Sequence, residues 1–101
     1  MYARVAMYHG ADAGGIEQIL THTAKEFEAR LADPAEGLEG VREFLLLVDR
    51  ESGRGLGISL FETEEDLRRG DEQLGRVPLS QAGGVRTGVE YYEVALHRTP
   101  D

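Results

Sequence analysis

Apolar positions along the chain recur first at a spacing of two, then at helical spacing, and the changeovers mark the elements. "YARVAMY" at 2–8 is short, rich in Tyr and Val, and bounded by "HGADAGG", which predicts a strand running into a loop. Ile16, Ile19, Leu20, Thr23, Phe27 and Leu31 then follow a helical stripe, with Glu17, Gln18, Lys25, Glu28 and Arg30 off it. An amphipathic helix of about four turns is expected, stopping before Pro34 in the connection "DPAEGLEG".

The stretch "FLLLVDRESGRGLGISLFETEED" at 44–66 carries the strongest pattern. Leu45 and Leu47 alternate with Phe44, Leu46 and Val48, so both faces of one strand are apolar, as in a strand covered on both sides. "DRESGRG" is a charged turn in which Gly53 can supply the left-handed backbone of a short bulged hairpin. On the returning strand Leu56, Ile58 and Leu60 share one face, while Gly55, Gly57, Ser59 and Phe61 share the other. "TEED" then sets Thr63 as the N-cap of a second helix, with acids in its first turn, and Leu67 and Leu74 lie two turns apart on one face. Gly70 weakens this helix by about 1 kcal/mol relative to Ala. Gly75 and Pro78 end it, and after "VPLSQAGG" the segment "VRTGVEYYEVALH" reads as a long strand followed by the tail "RTPD". In that strand Val85, Val89, Tyr91 and Ala95 share one face, and Tyr92, Val94 and Leu96 the other.

The order is βαββαβ, which predicts an α+β, ferredoxin-like domain: a four-stranded antiparallel sheet, the hairpin at its centre, with both helices on one face. Helices on one face leave the other uncovered, and a lone copy would expose a large apolar patch. Burying each such side chain is worth about 1.5–3 kcal/mol, so a homodimer with its two sheets facing each other is expected.

Composition narrows the chemistry. At 101 residues the chain has room for one domain, 1–101, and no second core. It has no cysteine, which excludes thiol nucleophiles, zinc–thiolate centres, iron–sulfur clusters and disulfides. The net charge of −8, with ten of eleven basic residues being scattered Arg, opposes a nucleic-acid surface. No apolar run approaches the roughly 18–20 residues that span a bilayer, and "MYARVAMYHG" lacks the apolar core of a signal peptide, so no membrane contact and a cytoplasmic location are expected.

The unit "FLLLVDRESGRGLGISLFETEEDL", preceded by "VAMYHG" and followed by "VEYYEVA", resembles the antibiotic-biosynthesis monooxygenase-like proteins of the dimeric α+β barrel group. The resemblance covers nearly the whole chain, and its most specific part is "GISLFETEEDL", a hydrophobic strand, an aromatic and an acidic helix start. It implies a homodimeric barrel with a small cavity between sheet and helices. It also implies either oxygenation of an aromatic polyketide without metal or flavin, haem degradation, or binding alone. The family's active oxygenases use an Asn on the first strand and a Trp ending the third. This chain contains neither residue, and Phe61 stands where the Trp would. Haem-degrading members bring a His from the second helix region, and "EEDLRRGDEQLGR" has none.

Among residues able to carry chemistry, His9 beside Tyr8 at the end of the first strand is the best-placed acid/base group, with a solvated loop His as the alternative. His22 and His97 match no metal spacing. Tyr8, Phe61, Tyr91 and Tyr92 can line an aromatic pocket or pack a core. Arg4, on an apolar strand, needs either an anionic ligand or a carboxylate, for which Glu90 or Glu93 across the sheet are the expected partners. Gly57 and Ser59 leave space for a ligand or for a close-packed helix.

The expectation is a homodimer binding a small apolar or aromatic ligand in a pocket of Arg4, Ser59, Phe61 and Tyr91, with no cofactor and without the family's usual catalysis. The alternative is a cofactor-independent monooxygenase in which Tyr8 or His9 holds or deprotonates an aromatic substrate. Haem binding is a third reading.

Overall fold

The computed structural model describes residues 1–10, 17, 21, 25–33, 38, 40–75 and 84–100. Four strands, β1 (Tyr2–Gly10), β2 (Val41–Asp49), β3 (Arg54–Phe61) and β4 (Gly84–Glu93), form one sheet in the order β2-β3-β1-β4. Every neighbouring pair is antiparallel. Helical residues at 17, 21 and 25–31 precede β2, the run 25–31 being α1, and α2 (Glu64–Leu74) joins β3 to β4. This is the ferredoxin-like order expected from the hydrophobic spacing. Ile16, Ile19, Leu20, His22, Thr23, Pro34 and the "VPLSQ" connection lie outside the described residues.

Both helices pack on one face. Phe27 of α1 stacks on Phe44 of β2, with ring centroids 4.1 Å apart and planes 21° apart. Arg30 of α1 donates to the Gln73 carbonyl of α2 at 2.9 Å, which ties the two helices side by side. The helix-facing residues of β3 are its small ones together with Phe61, because Phe44 lies opposite Ser59, Leu46 opposite Gly57, and the Phe61 ring lies against α2. The bulky Leu56 and Ile58 therefore face away from the helices, beside Leu47 and Leu45.

Local signals position these elements. Gly53 adopts φ 77° and its N–H donates to the Asp49 carbonyl at 2.9 Å, while the Asp49 carboxylate accepts from the N–H of Glu51 at 3.0 Å. Thr63 caps α2 by accepting from the Asp66 N–H at 3.1 Å. Gly70 has a reason that helix propensity alone conceals: a Cβ there would overlap Cε1 of the Phe61 ring. The glycine admits the Phe61 ring, whose exposure is 0%.

Three features of the sheet differ from the expectation set by the hydrophobic pattern. The hairpin is not the centre of the sheet, since β2 is an edge strand and only β3 is internal. Its first strand begins at Val41, three residues before the apolar run, with Val41 opposite Phe61. The last strand ends at Glu93, not His97, and its pairing with β1 shifts register between Met7 and Tyr8, so that Arg86 lies opposite Tyr8. A bulge of this kind breaks the two-residue alternation on which the assignment of faces along "VRTGVEYYEVALH" depended.

Candidate functional site

On the helix face, β1 presents Arg4 and Tyr8, with Ser59 and Tyr91 directly opposite Arg4 on its two neighbouring strands. Arg4 is only 3% exposed. Its Nε donates to Asp71 Oδ1 of α2 at 2.7 Å, and the Tyr91 hydroxyl donates to the same oxygen at 2.8 Å. The Arg4 charge also acts on the nearby Tyr8 phenol, opposing the rise that burial causes. The Tyr8 ring leans over Gly57 of β3 and lies close to the Phe44–Phe27 stack. A polar chain Arg4–Asp71–Tyr91 thus runs from the buried Arg4 to the exposed Tyr91, with Tyr8 beside its buried end.

Its electrostatics favour neutral phenols. Burial pushes the Tyr8 hydroxyl above its ordinary value, against the opposing pull of Arg4 and Arg86. Tyr91 is raised by burial and then by its hydrogen bond to the Asp71 carboxylate. Near neutral pH both are hydrogen-bond donors and neither is a base, because a raised phenol holds its proton more firmly. The guanidinium is the fixed positive charge of the cluster.

The expected site residues divide between locations. Arg4, Tyr8, Ser59 and Tyr91 share the helix face, with Ser59 buried against Arg4. Phe61 is on that face too, sealed beneath Gly70. His9, exposed at the far end of β1 opposite Arg54, points to the other face, because neighbouring strand residues alternate. Tyr8 and His9 therefore do not converge. His97 pairs with Glu43 at 3.1 Å. Among the described residues no group of His, Asp or Glu is placed to hold a metal ion, and no helix is long and apolar enough to cross a membrane.

The partner of Arg4 corrects the expectation of a cross-strand glutamate. Glu90 lies opposite Val5, on the other face, and its carboxylate accepts from the Tyr92 hydroxyl at 2.7 Å. Glu93 lies opposite Tyr2, at the end of the sheet. Asp71 was missed, although it carried a signal: it falls four residues after Leu67 and three before Leu74, on the stripe of α2 that faces the sheet. A carboxylate on a buried stripe calls for a buried cation, and Arg4 supplies it.

The opposite face holds a second feature, a hollow of about 490 Å³ at the hairpin end, lined by Met7, His9, Leu47, Arg54, Leu56 and Thr87 among others.

Neither a protein-family model nor a curated protein matches the sequence. Among solved structures, the chain is similar to a proposed antibiotic biosynthesis monooxygenase from Deinococcus radiodurans, with a TM-score of 0.62 and 15% sequence identity over 100% of this chain and 99% of that one. At that identity the likeness is one of fold. It agrees with the family resemblance read from the sequence, and it bears out the α+β ferredoxin-like arrangement.

Proposed function

We propose that the protein is a homodimeric α+β barrel that binds a small planar aromatic molecule bearing a phenol or carbonyl oxygen, without oxygenase catalysis. One observation carries this reading: a guanidinium 3% exposed on the helix face of the sheet, bonded to the partly exposed Asp71 carboxylate that also accepts from the exposed Tyr91 hydroxyl, with the Tyr8 phenol near enough to feel its charge. A buried ion pair contributes little net stability compared with apolar packing, so the cluster is better explained by what it recognises. Arg4 supplies charge for a ligand oxygen, Tyr8 donates a hydrogen bond to it, and Phe44 offers an aromatic surface to its ring. Asp71 holds the guanidinium in place. The homodimer half of the reading is supported by the sheet face away from the helices, where Leu45 and Leu47 remain 43% and 45% exposed.

A second reading, cofactor-independent oxygenation of a polyketide-like aromatic, is favoured by the description of the Deinococcus radiodurans protein. It requires a substrate that reaches the site already as an anion, because both phenols of the cluster are raised and His9 lies on the other face.

Calorimetric titration with a hydroxyanthrone, run beside an oxygen electrode, separates the two. The binding reading predicts saturable heat, no oxygen uptake, and affinity reduced at least about tenfold in Arg4→Met and in Tyr8→Phe. Binding that is unchanged in both variants would sink it. Oxygen uptake that Tyr8→Phe abolishes would replace it with the oxygenase reading.

A further inference from the structure

The irregularity between β1 and β4 decides which side chain stands beside Tyr8. Tyr91 lies opposite Arg4 and Val89 opposite Ala6, so strict alternation would bring Thr87 opposite Tyr8. The shift in register between Met7 and Tyr8 brings Arg86 there instead. Thr87 is turned aside: its hydroxyl donates to the Met7 carbonyl at 3.3 Å, and it lines the hollow on the opposite face. Bulges re-aim side chains, and this one exchanges a hydroxyl for a guanidinium on the helix face. The charge of Arg86 acts on the phenols of both Tyr8 and Tyr91, in keeping with that side of the sheet.

Arg86 is exposed, and among the described residues no carboxylate forms an ion pair with it. Asp71, the acid of the cluster, already accepts from Arg4 and Tyr91. Glu90 lies on the other face and accepts from Tyr92. The charged side chains that act on the two phenols are Arg4, Arg86 and Asp71, so the cluster carries one positive charge in excess. That excess sits in a chain of net charge −8, in which Arg42, Arg50, Arg68 and Arg69 each have a glutamate partner.

We propose that the helix-face site selects an anion, a planar aromatic carboxylate whose charged group is held by Arg86, with Arg4 and Tyr8 left for the oxygen on the ring. This rests on the aromatic-ligand reading above and adds the charge of the ligand and the residue that selects it. The anion is a carboxylate because an ordinary phenol, with a pKa of about 10, is neutral near pH 7, whereas a carboxyl group with a pKa of about 4 is ionised. Its two oxygens also match the fork of a guanidinium. Tyr8 keeps its proton in this setting, so it adds no negative charge to repel the ligand.

Calorimetric titration with a hydroxyanthraquinone carboxylate and with its carboxamide tests the charge at nearly constant shape. In the wild type the carboxylate is expected to bind at least about tenfold tighter. Arg86→Gln should bring the two affinities within about twofold of each other, and Arg86→Lys should retain a preference for the carboxylate. Because Arg86 is exposed, Arg86→Gln is expected to unfold in urea as the wild type does. Equal affinities in the wild type, or a preference that survives intact in Arg86→Gln, overturn the assignment and leave an aromatic-binding protein. Saturable heat from neither compound removes both claims.

Discussion

Asp71 is the residue on which the helix-face cluster depends, because its Oδ1 accepts from both Arg4 and Tyr91. Asp71→Asn keeps the shape and removes the charge facing a 3% exposed guanidinium, so unfolding in urea should show a loss of about 1–3 kcal/mol, moderated by the partial exposure of Asp71. Gly70→Ala gives a test in which two effects have opposite signs. Helix propensity favours Ala by about 1 kcal/mol, but the new Cβ would overlap a Phe61 ring with no exposed side to move towards. Overpacking should win, with a net destabilisation of about 1–3 kcal/mol in the same measurement. Tyr8 gives the protein a base-side pH dependence. Its folded-state value is raised, so the folded protein keeps a proton that the unfolded chain releases near pH 10. Its contribution is full below that unfolded value and is lost as pH rises through the folded one. The unfolding free energy should therefore fall as pH rises above the ordinary phenol value of about 10, and fall less in Tyr8→Phe.

Elements were legible where their signals are local. Gly53 and Thr63 do what the sequence pattern asks of them, since a turn and a helix cap are decided within four or five residues. Replacing Thr63 by Ala should cost about 1 kcal/mol in urea unfolding, through the lost bond to the Asp66 N–H. What escaped reading is settled between elements. The partner of Arg4 depends on where α2 crosses β1, a distance of 67 residues along the chain. The end of β4 depends on Val94 bonding to Met1, after which the chain turns across the sheet, and apolar alternation through Leu96 gives no notice of it. The bulge at Tyr8 is likewise a property of two paired strands and not of either one. For the same reason helix propensity makes Gly70 a flaw in α2, whereas its contact with the Phe61 ring makes it a fit.

At the scale of the whole molecule, the two-faced pattern of residues 44–48 divides the work of the fold. Phe44 packs on α1, and Leu45 and Leu47 face away from both helices. With the oxygen-recognising cluster on the helix side, the other side is left for a second copy, and the two functions do not compete for surface. Sedimentation velocity at micromolar concentration, comparing the wild type with Leu47→Asp, tests this division most directly. The account predicts a wild-type dimer and a folded monomeric variant, with the charge set against a partner sheet and not against the helices. A wild type that sediments as a well-folded monomer would contradict it.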